Sequence, residues 1–376
     1  MIAKNNPRPL RVMLLGLRGF PGVQGGVETH VEHLCPLLVE LGCDVTVLAR
    51  SPYQPAEVGS VWKGVKFVPL WAPKSKALEA ILHSLVGVLY AAVKRPDVLH
   101  IHAIGPAIMT LPARLLGLRV VVTHHGPDYD RQKWGGFARF VLQLGERWGM
   151  RWSNGRIVIS KVIADLVLAK HGMQSVLIPN GVVLPQLPDS VGALKQFGLH
   201  RGRYVLLVSR LVPEKRHLDL ISAFKQANLS DWKLVIVGGA DHPDAYQREV
   251  IEAATNAGAV MTGFQRGKSL QELYAHAGLF VLPSSHEGLP IAMLEALSYG
   301  LPVLASDIPA NLEVGLSAEH YFPLGNIQSL ADRIILLSRE SLTMHERTSI
   351  RVWATQRYDW REIAEKTLNV YVGCLK

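Results

Sequence analysis

The chain has 376 residues, 48% of them hydrophobic and 19% charged, with 40 Lys and Arg against 31 Asp and Glu. That balance excludes an intrinsically disordered chain, and the length predicts two domains, each able to bury its own core. Three cysteines, Cys35, Cys43 and Cys374, stand at no metal-ligand spacing, which excludes a disulfide framework and predicts a reducing compartment.

Residues 1–11 lack the apolar core of a signal peptide, so a cytoplasmic protein is expected. Residues 10–15 read as a strand and lead into a glycine-rich loop, 16–26. Gly16, Gly19 and Gly22 are spaced G-x2-G-x2-G rather than G-x-G-x2-G, and no acid ends the following strand, so a dinucleotide fingerprint is set aside. Val27, Val31, Leu34, Leu38 and Leu41 recur at helical spacing until Gly42. Strands are expected at 44–49 and 65–69. The apolar run 77–93 is interrupted by Glu79, His83 and Ser84 and is shorter than the about 20 residues a bilayer requires, so it predicts a packed helix. A strand at 98–102, a helix at 111–116 and a strand at 119–123 follow. The last of these ends in Thr123-His124-His125-Gly126. Asp128-Tyr129-Asp130 matches the Asp-x-Asp of a metal-dependent, single-sheet transferase fold, but the two alternating halves of this chain oppose that fold. Further strands at 156–160 and 176–179 precede Asn180-Gly181, and the proline-bearing segment 185–192 is the expected linker.

A second alternation predicts strands at 204–209, 233–237, 259–262, 279–282 and 302–305. Such βα rhythm argues a parallel, doubly wound sheet in each half, with ligands outside the strand carboxyl ends. Strand 204–209 runs into Arg210 and Lys215, a planar fork and a mobile point charge suited to phosphate. Strand 279–282 runs into a loop that opens a helix, with Pro290 expected at its first position and Gly300 at its end. Free amides and the helix dipole make that place an anion site. Glu287 lies in the loop. Glu295 lies among Ala292, Met293, Leu294, Ala296 and Leu297, where a carboxylate needs a polar partner. Hydroxyls of a sugar or ribose would serve; solvent or a nearby cation is the alternative. The first 185 residues hold 21 Lys and Arg against 11 Asp and Glu, the remainder 19 against 20. A basic half suits nucleic acid, anionic lipid or a phosphorylated substrate. With no zinc pattern, aromatic RNA-binding motif or basic helix, nucleic acid is not expected.

Glu287-Gly288-Leu289-Pro290 with Glu295 resembles the Glu-x7-Glu signature of family 4 retaining glycosyltransferases, which have the GT-B fold. Gly25-Gly26-Val27-Glu28 resembles the family's Gly-Gly-(Val/Ile)-Glu, and Arg210 with Lys215 its Arg-x4-Lys pair. His125 is similar to its strand-end histidine, with His124 as the alternative. The resemblance covers nearly the whole chain. It implies two Rossmann-like, doubly wound domains facing across a cleft: an acceptor-side domain, 1–184, with a helix at about 358–376 packing back onto it, and a nucleotide-sugar domain, 193–357. It implies retaining, metal-independent transfer of a sugar from a nucleotide-diphosphate donor, UDP or GDP, to a glycan or lipid-linked acceptor in polysaccharide assembly. It implies that Arg210 and Lys215 bind the donor diphosphate, Glu287 the sugar hydroxyls and Glu295 the ribose. The loop of Gly288, Leu289, Pro290 and Ile291 would face the diphosphate with its available amides, Gly25 and Gly26 would let backbone approach the donor, and His125 would hydrogen-bond the sugar. Asp128, Arg131, Lys133 and Trp134 would line the acceptor side, with the basic excess meeting an anionic inner membrane face. Glu313, His286 and Asn180 are weaker candidates. A nucleotide-sugar 2-epimerase and a same-fold phosphorylase remain open.

Overall fold

Strands alternate with helices along the whole computed structural model, which describes residues 8–54, 59–73, 79–130, 135–240, 244–340 and 342–376. The chain divides into two units, Met1–Asn180 with Trp360–Lys376, and Gly181–Asp359.

The first unit contains Leu10–Leu15 (β1), Gly26–Glu40 (α1), Cys43–Arg50 (β2), Val61–Trp62 (β3), Val65–Leu70 (β4), Glu79–Lys94 (α2), Val98–His102 (β5), Thr110–Leu115 (α3), Val120–His124 (β6), Gly136–Trp152 (α4), Gly155–Val158 (β7), Lys161–His171 (α5) and Val176–Leu177 (β8). The strands form one sheet in the order β3-β4-β2-β1-β5-β6-β7-β8, parallel apart from the short β3 edge. Both faces of β5 and β6 are buried, as a central parallel strand requires. On α1 the buried stripe is Val31, Leu34, Cys35 and Leu38. Against it packs the last helix, Trp360–Gly373, which contributes Trp360, Ile363, Ala364 and Tyr371 to the same core.

The second unit contains Gly192–Phe197 (α6), Tyr204–Val208 (β9), His217–Ala227 (α7), Lys233–Val237 (β10), Ala245–Asn256 (α8), Val260–Gly263 (β11), Gly267–Ala275 (α9), Leu279–Leu282 (β12), Ile291–Ser298 (α10), Val303–Ser306 (β13), Pro309–Leu312 (α11), Tyr321–Phe322 (β14), Ile327–Arg339 (α12) and Met344–Arg357 (α13); Trp360–Gly373 of the first unit is α14. Its parallel sheet runs β11-β10-β9-β12-β13-β14. In each unit the first strand has neighbours added on both sides, so the strand order reverses there. The reversal lies between β1 and β5 in the first sheet and between β9 and β12 in the second. At such a switch point the connecting loops diverge and leave a crevice at the carboxyl ends.

The passage between units differs from the sequence expectation. It lies between Asn180 and Gly181, ahead of the 185–192 segment expected as linker, and the return lies between Asp359 and Trp360. The 185–192 segment is held inside the second unit instead. Val182 N–H donates to the Tyr358 carbonyl at 2.9 Å, Arg351 donates to the Pro185 carbonyl at 2.6 Å, and the Ser190 hydroxyl donates to Glu272 at 2.6 Å. Among the described residues no helix is long and apolar enough to cross a membrane.

Candidate active site

Parallel pairing of β9 with β12 sends the loops that follow both strands to the same end of the second sheet. After β9 come Ser209, Arg210 and a 3-10 turn over Pro213–Lys215. After β12 comes the 283–290 loop, opening α10. The two loops are tied directly. The Ser285 amide donates to the Glu214 carbonyl at 2.8 Å, and Lys215 Nζ donates to Glu287 Oε1. The Lys215 and Glu287 side chains are 18% and 11% exposed, so this pair is held at the edge of solvent. Arg210 sits half-buried on the same β9 loop. The loop is braced from below. The Ser209 hydroxyl lies 2.9 Å from His217 Nε2, and the His217 amide donates to the Tyr246 hydroxyl at 3.1 Å. Burial lowers His217 to about 3, so the brace is a neutral ring.

Pro290 takes the cap position of α10 rather than the expected first helical position, because its ψ of 100° is extended; Ile291 is the first helical residue. The carbonyl of Pro290 accepts from the amides of Met293 and Leu294. Helix geometry leaves the amides of Ile291 and Ala292, the first of α10, without intrahelical partners. Glu295, on the second turn, is half-buried and accepts from the Tyr274 hydroxyl at 2.9 Å. Tyr274 is itself stacked on Tyr299, with ring centroids 5.2 Å apart. Burial pushes the Glu295 carboxyl up to about 7, against the lowering effect of the tyrosine bond. No ion pair with a cation meets Glu295 among the described residues, so the alternative of a salt-bridged surface acid does not describe it.

In the first unit the glycine-rich loop folds on itself. Arg18 donates to Glu28 Oε1 at 3.2 Å and to the Gln24 carbonyl, closing the loop over the start of α1. Gly25 has φ +156°, and a Cβ there would stand 1.9 Å from Glu28 Oε2. Gly26 differs: nothing lies within 4 Å of the place its Cβ would take. Across the β1–β5 switch point, Gly16 packs on the His102 carbonyl, where a Cβ would come within 2.2 Å.

Here a group of histidines gathers. His102 Nδ1 lies 3.0 Å from His125 Nε2, and the His30 ring stands edge-on to His125 with centroids 5.2 Å apart. His30 Nδ1 reaches Asn180 Oδ1 at 2.9 Å, while His100 is bonded to Tyr371 and Thr123, each at 2.7 Å. The indole of Trp360 closes the group beside His30 and His33. Burial holds His30 at about 4 and His102 and His125 well below the ordinary imidazole value, so these rings are neutral. His124 points elsewhere. Its Nε2 lies 3.0 Å from Glu146 Oε1, and its Nδ1 accepts from the Gly126 amide at 3.0 Å. Glu146, wholly buried, also meets Tyr129, Lys170 and His171; although burial raises it, the bonds from His124 and Lys170 bring it to about 2. His124 is thus occupied by a structural network between α4 and α5, and of the two histidines only His125 joins the group at the switch point.

Several residues of these sites lay outside the sequence reading. His100 and His102, two apart on one strand, share a face by the period of two, and that was the available signal. His30, Trp360 and Tyr274 come from helices whose facing partners only the tertiary fold supplies. Asn180, one of the weaker candidates, is the partner of His30. Asp128 and Asp130 lie on a short 3-10 turn beside Tyr129; no group of three or more His, Cys, Asp or Glu is placed to hold a metal among the described residues. Arg131, Lys133 and Trp134 lie outside the described residues. His286 bonds Ser285 at 2.9 Å, and Glu313 is half-buried at the end of α11.

Two family models match the chain: "Glycosyltransferase Family 4" over residues 24–185 and "Glycosyl transferases group 1" over 194–351, one on each half and together well over half of it. A phosphatidyl-myo-inositol mannosyltransferase of Mycobacterium leprae is 26% identical over 366 residues, covering 93% of either chain. A UDP-Gal:alpha-D-GlcNAc-diphosphoundecaprenol alpha-1,3-galactosyltransferase of Escherichia coli is 30% identical over 240 residues, 59% of this chain and 61% of the relative. Among solved structures, sucrose-phosphate synthase of Thermosynechococcus elongatus superposes with a TM-score of 0.79 at 20% identity, over 96% of this chain and 98% of that one. Anabaena HepE in complex with UDP and glucose superposes with a TM-score of 0.76 at 17% identity, over the same shares.

Proposed function

Because the chain belongs to glycosyltransferase family 4, with the two parallel-sheet α/β domains of the GT-B class, we propose that it moves a sugar, with retention, from a nucleotide-diphosphate donor to a glycan or lipid-linked saccharide in polysaccharide synthesis. The observation that carries this reading is the Lys215–Glu287 pair at the switch point of the second sheet. An ammonium beside a helix N-terminus is where a diphosphate would collect, and an adjacent carboxylate is where sugar hydroxyls would be fixed.

The roles follow from the chemistry. Arg210 and Lys215 take the charge that develops on the leaving diphosphate, helped by the available amides of the 288–291 loop that leads into α10, so that no resident metal is required for that task. Glu287 accepts from sugar hydroxyls, and Glu295 from the ribose hydroxyls. Gly25 and Gly26 admit the donor to the backbone of the α1 loop, where open space at Gly26 supports the reading. Neutral His125 hydrogen-bonds the transferred sugar. Catalysis is positioning plus charge stabilisation. The donor nucleotide is UDP or GDP: structures similar to this chain hold UDP, and a relative uses a UDP-galactose donor.

The acceptor side is read from the first unit. Helices α2, α3 and α4 lie side by side, and their outer faces expose Leu85, Leu89, Val93, Leu115, Phe137 and Phe140. The acids of these helices, Glu79 and Glu146, are buried in ion pairs, whereas Lys94, Arg114, Arg139, Arg147 and Arg151 are exposed. An apolar face whose own helices expose cations and no acid among the described residues suits the interface of an anionic membrane, where a lipid-linked acceptor would reside.

The test is a thermal-shift screen of UDP-, GDP- and ADP-sugars without added metal, followed by NMR of the product anomer. Stabilisation by one nucleotide sugar and a product of unchanged anomeric configuration support the reading. An inverted product removes retention, and turnover of donor with no acceptor present moves the chain to the epimerase or phosphorylase reading.

A further inference from the structure

We propose that His102 sets the tautomer of His125, donating from its Nδ1 to His125 Nε2 and so leaving His125 protonated on Nδ1. The two nitrogens are 3.0 Å apart, and His102 lies on the fully buried strand β5, 0% exposed. Two neutral rings share one proton across such a bond, so one of them is donor and the other acceptor. The surroundings decide which. His102 Nε2 has no hydrogen-bond partner among the described residues and no water-exposed surface. If His125 were the donor, His102 would carry its own proton on Nε2, an N–H buried without an acceptor. If His102 is the donor, Nε2 is a bare lone pair and no N–H is stranded. Buried orphan N–H groups are the rarer and costlier of the two defects.

Nothing else in the group competes for this bond. His30 gives its Nδ1 proton to Asn180 Oδ1, and His100 has both nitrogens engaged with Tyr371 and Thr123. The His102 ring cannot turn away easily: His100 lies against it with centroids 4.0 Å apart, and its own carbonyl is pressed on Gly16. His102 is therefore a positioning residue. It touches neither donor nor acceptor, but it makes His125 a hydrogen-bond donor at Nδ1, the form able to give a proton to a sugar oxygen. This consequence rests on the proposed contact between His125 and the sugar; the tautomer itself does not.

The imidazole 15N spectrum of the full chain tests it, with the His125 signals identified by their loss in His125→Gln. The expected result is a protonated Nδ1 and a bare Nε2 on His125. His102→Asn places an amide donor where Nδ1–H stood and should keep that pattern, with transfer within about threefold of the wild type. His102→Asp places an acceptor there and should reverse the pattern, lowering kcat about 100-fold with the donor KM little changed, by analogy with a wrong histidine tautomer in other enzymes. Melting curves of both variants separate this from loss of fold. Protonation of His125 on Nε2 in the wild type overturns the proposal, whatever the activities. The expected tautomers with unchanged transfer in every variant uphold the His102 lock and remove His125 from the reaction.

Discussion

Neighbouring residues of one type have separate tasks here. Gly25 and Gly26 are adjacent, yet only Gly25 is required by the fold, since its φ of +156° and its contact with Glu28 leave no room for a side chain. Gly25→Ala should therefore destabilise the first unit, by about 1–3 kcal/mol in a denaturant titration. Gly26→Ala meets open space and sits at the start of a helix, so stability should be unchanged or rise by about 0.5 kcal/mol. If the donor approaches that backbone, the same substitution lowers transfer; equal activity would separate Gly26 from the donor. Glu295 supplies a pH signature. Its carboxyl sits at about 7 in the folded chain, above the ordinary value of 4.5, so the native state holds the extra proton between those values. Stability contributed by this group is full below pH 4.5 and declines as pH rises to 7. Nucleotide affinity should move the opposite way, rising through pH 7 as the carboxylate becomes available to ribose. In Glu295→Gln, calorimetric titrations should lose that part of the pH dependence.

Elements act through the loops they hold. The β9 and β12 loops meet because their strands are neighbours, and the Lys215–Glu287 pair joins the Ser285–Glu214 backbone bond in tying them. Lys215→Ala and Glu287→Ala should each reduce transfer by about 100-fold or more, the scale of losing one preorganised charge partner, while the melting temperature falls only slightly. Full activity in either variant would remove the pair from the site. For the α2–α4 layer, vesicles of phosphatidylglycerol should carry the protein down on sedimentation at low salt, and vesicles of phosphatidylcholine should not. Leu89→Glu with Phe137→Glu should abolish that binding without altering the melting curve, since both side chains are exposed. Retention of the double variant on the vesicles would dismiss the face.

At the scale of the whole molecule, the first unit is discontinuous in sequence and the second is not. Helix α14 provides Trp360, Ile363, Ala364 and Tyr371 to the first core, and the Tyr371 hydroxyl holds His100. Truncation after Asp359 should thus lower the first unit's melting transition and leave the second unit's in place, which differential scanning calorimetry resolves as two shifts of different size. A single, equally lowered transition would show instead that the two cores unfold as one.

Much of this was legible in the chain itself. Apolar runs of four to six residues bounded by glycine and proline marked the central strands, because a parallel strand buried on both faces must be apolar throughout. Of the three two-residue strands, β8 fell within the expected 176–179 strand, whereas β3 and β14 lacked enough residues to show a pattern. The strand-end loops carrying Arg210, Lys215 and Glu287, and the helix after them carrying Glu295, could be located because a doubly wound sheet gathers its ligand-binding loops at the strand carboxyl ends. Sequence alone did not reveal that Asn180 binds His30, that His124 is committed to Glu146 while His125 faces His102, or that residues 181–190 belong to the second unit. Those outcomes depend on which side chains meet across the fold. Local periodicity determines where a side chain leaves its own helix or strand, whereas its partner is chosen by packing between segments up to hundreds of residues apart.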